Sequence, residues 1–290
     1  MNPFELPEWL ASGQALNETG RSAAVVRGEL APDPAMFGRN LRALALRSPA
    51  AVAAIEGAAS LSLDELVFVR AEDGAWSATR REGGGAGVES ARQLASLRRP
   101  LDEAAKLAAS VPIEAVGGFV VMGFGLGHHV AALAARLGRA GVIFAFEPDV
   151  AMLRVVLERV DHSAWIAATN FALLTSADDP ASISSAAEGV EGFLAMGVKF
   201  VEHAPSKARL GVDADVFARN LAGVMRALRT TIVTTLVQVD TTLRNSLMNL
   251  DRYAAAPGIG MAATGKSATS RGPLARPRTK RPRPRSVSPG

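Results

Sequence analysis

The sequence predicts an α/β fold in which a Rossmann-like, mostly parallel sheet is flanked by helices, with an N-terminal α+β cap and a C-terminal helical arm. Three observations predict this fold. Residues 119–122 and 142–146 are short apolar runs, as strands covered on both faces of a parallel sheet are. A glycine-rich turn and a helical apolar pattern separate these runs, and the carboxylate of Glu147 follows the second. This order is typical of a doubly wound sheet with a ligand crevice at the carboxyl ends of its strands.

The glycine-rich turn contains the predicted binding site. Gly123, Gly125 and Gly127 directly follow the first strand, and glycine lets a backbone turn sharply or approach a ligand closely. The next helix points its N-terminal amides at the same place, which favours an anionic or polar group. Glu147 or Asp149 lies roughly 20 residues after the glycines, where an acid commonly binds ribose hydroxyls. The sequence therefore predicts a nucleotide or a nucleotide sugar as the ligand.

The spacing of these glycines leaves two alternatives open. It is G-x-G-x-G rather than the G-x-G-x-x-G of dinucleotide-binding folds, which argues against a nicotinamide cofactor. It is closer to the loop of Rossmann-like methyltransferases, which use S-adenosylmethionine. The same glycines could also serve only to pack a helix tightly on a strand.

The residues around the predicted crevice give no catalytic residue and no metal site. His128 and His129 are adjacent, so they point in different directions, and we interpret them as packing or capping groups at a helix start. Glu202 and His203 follow a predicted strand at residues 198–201, where such a pair can perform acid–base chemistry. No nucleophile accompanies them, so neither is assigned a catalytic role.

The predicted α+β cap covers residues 1–110. Asp33-Pro34 indicates a helix start, because an acid caps the first turn and proline suits its first position. Asp73-Gly74 predicts the turn of a hairpin. Residues 90–97 and 101–109 are predicted to be helical.

The Rossmann-like domain is predicted over residues 111–212 and the helical arm over residues 213–257. A strand within residues 164–174 and a helix that begins at Asp179 continue the domain. In the arm, the β-branched run at residues 230–235 is expected to bend or break the helix.

The composition limits the cellular setting. The 290 residues include no cysteine, which excludes disulfides, iron–sulfur clusters and thiolate zinc sites. The chain does not open on a basic region followed by an apolar core, so we expect no secretory signal. It has no run of about 18 apolar residues, so we expect no membrane span. The predicted location is the cytoplasm.

A disordered, basic, Pro/Arg-rich tail is predicted over residues 258–290, because this composition cannot bury enough surface to offset the entropy of ordering. Residues 262–290 hold eight Lys and Arg and no acid, and the rest of the chain has 24 basic and 28 acidic side chains, a net charge of −4. Nucleic acid is therefore not expected to bind the body, although the tail could bind it weakly through charge alone.

Four segments carry one further pattern. They are an opening helix at residues 37–44 with Asn40, the glycine loop at 121–129, Phe-Glu-Pro-Asp at 146–149, and an Asn-x-x-x-Asn helix at 245–253. Together they resemble the motility-associated-factor glycosyltransferases, whose core is hydroxymethylpterin-pyrophosphokinase-like. The resemblance covers most of the chain. It implies a bacterial, cytoplasmic protein that helps to glycosylate flagellin, with a nucleotide-activated nonulosonic acid as the donor.

The sequence departs from this family after the Asn-x-x-x-Asn helix. There the family has a second domain that opens with a strand and a Gly-Pro-Ser-Leu loop, whereas here residues 257–261 lead into the tail. We therefore expect a truncated, out-of-frame chain that is catalytically inactive alone and has flagellin or another acceptor protein as its partner. The alternatives are an S-adenosylmethionine-dependent methyltransferase and a non-enzymatic module that docks a partner through the helix face of Asn245 and Asn249.

Overall fold

The computed structural model describes residues 26–27, 30–61, 65–82 and 90–255. The chain divides into two compact units, Met1–Thr234 and Thr235–Gly290. In chain order, the described elements are β1 (Val26–Arg27), α1 (Pro34–Ala45), α2 (Pro49–Gly57), β2 (Leu66–Arg70), β3 (Trp76–Glu82), β4 (Ser90–Gln93), α3 (Pro100–Ser110), β5 (Gly118–Met122), α4 (His128–Leu137), β6 (Val142–Phe146), α5 (Val150–Leu157), α6 (Ser163–Ala168), β7 (Phe171–Leu174), α7 (Pro180–Ala187), α8 (Glu191–Ala195), β8 (Val198–Glu202), α9 (Ala204–Met248) and α10 (Leu250–Ala255).

Four parallel strands form the central sheet of the first unit. Their order is β7-β6-β5-β8, and β5 pairs in parallel with β6 on one side and with β8 on the other. The chain therefore starts in the middle of the sheet, runs outward to β7, and returns to place β8 beside β5. The predicted Rossmann-like parallel sheet is confirmed. The strand order reverses between β5 and β8, and ligands of such sheets bind at the carboxyl ends of the strands at this switch point.

Apolar side chains cover both faces of the sheet, as the continuous apolar runs predict. Successive side chains of a strand point to opposite faces. On one face, Phe119, Val121 and Ile143 join a core with α4, α5 and α6. On the other face, Val120 and Phe144 join a second core with α7 and the first part of α9.

Asn40 of α1 fixes the N-terminal helices to the central sheet. Its side chain is fully buried and makes three hydrogen bonds. The amide donates to the carbonyls of Leu157 and Val160, each at 2.8 Å, and the side-chain oxygen accepts from His162 N at 2.8 Å. Asn40 therefore satisfies backbone groups between α5 and α6 that have no partner within a helix.

A second, antiparallel sheet has the order β1-β2-β3-β4. The predicted hairpin is confirmed as β2 and β3, with Gly74 at φ 80° in the turn. The prediction of a helix at residues 90–97 is wrong, because residues 90–93 form β4 and pair with β3. Three of these four residues carry polar or charged side chains, and their pairing with β3 overrides their helical propensity.

The long helix α9 begins before the predicted start at residue 213. Gly211 has non-helical dihedral angles of φ 53° and ψ −134°, so residues 204–210 form a short helical segment that precedes the main helix. The β-branched run at residues 230–235 does not break the helix. None of the helices in the described part of the chain combines the length and apolar character that a membrane span requires. The predicted tail at residues 258–290 lies outside the described residues.

Candidate functional site

The predicted glycine loop connects β5 to α4 at the switch point of the sheet. Gly123, Gly125 and Gly127 have φ angles of 97°, 52° and 79°, a region that L side chains rarely adopt. The backbone amide of Gly123 donates to the carbonyl of Phe146 at 2.9 Å and so continues the pairing of β5 with β6. The three glycines are therefore required by the path of the backbone itself.

Protein groups pack against each of these glycines. A Cβ atom at Gly123 would overlap the side chain of Ser206, and one at Gly125 would lie 3.1 Å from the Leu94 carbonyl oxygen. A Cβ atom at Gly127 would lie 2.6 Å from Cε1 of His162. The close approach that glycine permits is used by the chain's own residues in this structure.

Glu147 lies against the glycine loop, directly after the last residue of β6. Its side chain is fully buried. Oε2 accepts hydrogen bonds from the backbone amides of Phe124 at 3.1 Å and Gly125 at 3.3 Å, and Oε1 accepts from Asp149 N at 3.3 Å. The predicted proximity of the acid to the glycine loop is thus present, and the loop amides bind the carboxylate.

Arg209, on the short segment before Gly211, neutralises Glu147. Nη1 donates to Oε1 at 2.7 Å and Nη2 to Oε2 at 2.6 Å, a bidentate pair. The Arg209 side chain is only 5% exposed. A pair of this geometry is among the strongest side-chain interactions, and a buried carboxylate without it would carry a large desolvation penalty.

Asp149 is near Glu147 but has a different role. Its side chain accepts from Met152 N at 2.9 Å and caps the N-terminus of α5. Arg80 of β3 approaches its other oxygen at 3.3 Å. Asp149 therefore anchors a helix and the antiparallel sheet beside the loop.

All four histidines of the chain gather around the glycine loop. His128 Nε2 donates to the Trp76 carbonyl at 2.7 Å, and His129 Nε2 donates to the Gly123 carbonyl at 2.9 Å. His203 stacks on His129 with ring centroids 3.9 Å apart, and its Nδ1 lies 2.9 Å from Ser206 Oγ. His162 Nδ1 accepts from Trp165 Nε1 at 3.1 Å, so the His162 proton is on Nε2, facing the loop.

Burial keeps these histidines neutral. Desolvation lowers the pKa of His162 to about 3 and that of His203 to about 4. It also lowers the pKa of His128, and it holds the pKa of His129 well below its ordinary value, with the neighbouring His203 acting in the same direction. No group of three or more His, Cys, Asp or Glu side chains within the described ranges is arranged to hold a metal ion.

The structure adds Arg209, Ser206 and His162 to the residues predicted for the site. Sequence reasoning missed them because each belongs to a segment remote from the glycine motif. One signal was present: Ser206 and Arg209 follow the Glu202-His203 pair at the end of β8, and the switch-point rule places that strand end beside the loop.

A surface cavity of about 390 Å³ lies elsewhere, at the carboxyl end of the edge strand β7. Ser48, Ser176, Asp179 and Ser182 contribute to its lining. None of the five predicted site residues lines it. This cavity is thus separate from the switch point.

Comparisons with known proteins give little guidance. No family model matches the chain, and no curated protein matches it. Among solved structures, the chain is similar to the Methanococcus jannaschii fibrillarin pre-rRNA processing protein, with 16% identity over 57% of this chain and 84% of that chain. The TM-score is 0.23, which is too low for this likeness to support any argument about function.

Proposed function

We propose that this chain is the nucleotide-binding-type α/β domain of a motility-associated glycosyltransferase, with its ligand site at the switch point between β5 and β8. In the proposed closed state, Arg209 occupies the ligand's place on Glu147. The bidentate Arg209–Glu147 pair is the observation that carries the proposal. The four segments of sequence resemblance support the choice of family, and the glycine loop and strand order support the choice of ligand class.

Arg209 resembles a ribose in the hydrogen bonds that it gives to Glu147. The two hydroxyls of a ribose can donate one hydrogen bond to each oxygen of a carboxylate. Arg209 donates from Nη1 and Nη2 to the two oxygens of Glu147 in the same way. Without ligand, this internal pair avoids an unpaired buried carboxylate. A nucleotide would replace the guanidinium and keep both oxygens satisfied.

The segment that carries Arg209 is suited to displacement. Residues 204–210 lie between β8 and the non-helical Gly211, whose added Cβ would meet no atom within 4 Å. A rotation at Gly211 would move Ser206 away from Gly123 together with Arg209. Residues 204–210 therefore carry both the side chain that packs on Gly123 and the side chain that pairs with Glu147. A ligand that binds only the open form would shift this equilibrium by its differential affinity.

The test compares Glu147→Gln with Arg209→Gln by isothermal titration calorimetry. The ligands are a CMP-linked nonulosonic acid, CMP, UDP and S-adenosylmethionine. We expect the CMP-linked sugar to bind the natural chain weakly. Arg209→Gln should bind it roughly tenfold more tightly, because less of the binding energy is spent on opening. Glu147→Gln should bind it at least about tenfold more weakly, because the ribose loses its carboxylate.

Opposite effects of the two variants distinguish a ligand site from a structural ion pair. If Glu147 and Arg209 serve only packing, both variants lower the melting temperature and neither binds any of the four ligands. Arg80→Gln is the matched control, because it removes an arginine beside Asp149 and leaves Glu147 paired. Tight binding of S-adenosylmethionine alone, lost in Glu147→Gln, would contradict the glycosyltransferase assignment and favour the methyltransferase.

A further inference from the structure

The helix that contains residues 229–248 and continues into α10 presents a long apolar surface. Every residue from 233 to 248 is exposed. Eight of the exposed residues in this region are large and apolar, with exposures between 48% and 78%: Val233, Leu236, Val237, Val239, Leu243, Leu247, Met248 and Leu250. A contiguous exposed surface of this kind marks an interaction site rather than ordinary surface.

The helix has a sequence that is poorly suited to stand alone in water. Six threonines lie between residues 230 and 242, together with the β-branched Ile232, Val233 and Val239. The hydroxyls of Thr230 and Thr234 donate to carbonyls four residues earlier, a bond that weakens a helix slightly. Most of the stability of such a helix has to come from packing of its apolar face. A partner is therefore needed to cover this surface.

The apolar residues form a stripe with the spacing of a two-stranded helix pair. Intervals of four and three residues alternate from Ile232 to Leu250, with Ser246 at one position. The stripe consists of Ile232, Leu236, Val239, Leu243, Ser246 and Leu250. Val233 and Leu247 widen it on one side. This geometry fits another helix along the full length of the stripe.

The charges beside the stripe indicate which helix fits. Asp240, Arg244 and Asp251 lie on one flank by helical spacing, whereas the other flank carries Thr, Gln and Asn. Arg229 lies at the N-terminal end of the stripe, three residues before Ile232. Within the described ranges, these four side chains form no ion pair with one another. In an antiparallel pair of identical helices, the charged flanks face each other.

We propose that the surface is covered by the same helix of a second copy of this chain, packed antiparallel. In the register that pairs Val239 with Leu243 of the second copy, Asp240 lies beside Arg244 of that copy, and Arg229 lies beside its Asp251. By symmetry each pair occurs twice. The two copies of Asp240 also lie near the twofold axis, and the two copies of Arg244 on either side of them offset their charge. A parallel pair would instead place the charged flank against the uncharged flank. The proposal does not depend on the nucleotide site.

Sedimentation velocity of the full chain tests the assembly. We expect a dimer whose dissociation constant rises on the order of a thousandfold in Leu243→Asp, because two buried leucines are lost per dimer. Asn245→Asp adds the same charge on the opposite side of the helix and should leave the dimer unchanged. A monomer at all concentrations, or equal effects of the two variants, would overturn the proposal.

Charge reversal tests the antiparallel orientation. Asp240→Arg and Arg244→Asp should each weaken the dimer about tenfold, since each turns two attractive contacts into repulsive ones. The double variant, Asp240→Arg with Arg244→Asp, should restore the affinity of the natural chain. Additive weakening in the double variant would contradict the proposed register.

Cysteine cross-linking gives an independent readout, because the natural chain has no cysteine. A chain with Ile232→Cys and Leu250→Cys should form a covalent dimer on mild oxidation, because residue 232 of one copy faces residue 250 of the other in the antiparallel pair. Ile232→Cys alone should remain uncrosslinked, whereas parallel packing would cross-link it. Leu236→Cys alone should remain uncrosslinked, because it faces Ser246 of the second copy. The reverse result, a covalent dimer through residue 236 alone, would show parallel packing and overturn the proposal.

Discussion

At the scale of single residues, the glycine loop shows how one sequence pattern serves packing and, in our proposal, binding. Gly127 opens α4 with φ 79°, and a Cβ atom there would lie 2.6 Å from His162 Cε1 and 2.9 Å from Phe124 Cζ. Both neighbours are buried rings. The position therefore requires glycine for its backbone angle and for the room that it leaves.

We expect Gly127→Ala to destabilise the protein more than Gly189→Ala does. Gly189 has a similar φ of 74° and no atom within 4 Å of an added Cβ, so it reports the backbone strain alone. Overpacking against His162 should add about 1–3 kcal/mol at residue 127. Urea denaturation of both variants measures the difference. Equal losses in the free energy of unfolding would contradict the packing at this glycine.

The sequence could predict the glycines and acids of the site but not the three residues that the structure adds, Arg209, Ser206 and His162. Gly123, Gly125 and Glu147 carry a local motif, and the structure joins Gly125 N to Glu147 and Gly123 N to the Phe146 carbonyl by hydrogen bonds. No local motif marks Arg209 as a site residue. An arginine in a helical segment is more often solvated, so its sequence context does not predict that it is buried. Its burial depends on the crossover from β7 to β8 and on the turn at Gly211. Only the three-dimensional path of the chain determines that contact.

At the scale of elements, the short segment of residues 204–210 is the most informative. Its orientation depends on Gly211, whose φ of 53° and ψ of −134° would cost an alanine roughly 1–3 kcal/mol. Gly211→Ala should therefore favour a continuous helix, which displaces Arg209 from Glu147. We expect lower stability by about this amount and tighter binding of the CMP-linked sugar by at least roughly fivefold.

The matched control is Gly223→Ala, which lies within the regular part of the same helix and also has free space around an added Cβ. This variant should raise stability by roughly 0.5–1 kcal/mol, because alanine is the better helix former, and leave ligand affinity unchanged. Circular dichroism melts and calorimetry of both variants measure these effects. A stabilising Gly211→Ala would refute the hinge.

The errors in predicting elements have physical causes. The β-branched run at residues 230–235 lowers helix propensity, yet α9 continues through it because propensity is a weak preference. The actual break occurs at Gly211, two residues before the predicted start of the helical arm. Similarly, residues 90–93 lack an apolar alternation, and pairing with β3 determines their strand conformation.

At the scale of the whole molecule, the fold class was the most predictable property. Two apolar runs separated by a glycine turn and a helix predict the first two strands of a parallel sheet. The same runs predict that side chains on both faces of these strands are buried, as the two cores show. The order of the strands is not encoded locally. The place of β8 beside β5 depends on how the later helices cover the second face.

The position of all four histidines around one loop gives the whole molecule a pH dependence. The pKa values of His162 and His203, about 3 and about 4, lie below the ordinary value of about 6.5 in an unfolded chain. The unfolded state therefore binds more protons between these values. Stability is present in full above pH ~6.5 and is lost as the pH falls towards the folded-state pKa values.

We expect His162 and His203 together to lower the free energy of unfolding by about 2.5 kcal/mol per pH unit between roughly pH 6 and 5, since each takes up nearly one proton on unfolding. His128 and His129, whose pKa values are also lowered, steepen the total slope further. His203→Gln removes one of these protons and should reduce the slope by about 1.2 kcal/mol per pH unit, while glutamine keeps a polar group near Ser206. Urea denaturation at several pH values measures both slopes. An unchanged slope in His203→Gln would mean that His203 titrates near its ordinary pKa in the folded protein, and that the loop interior is open to water.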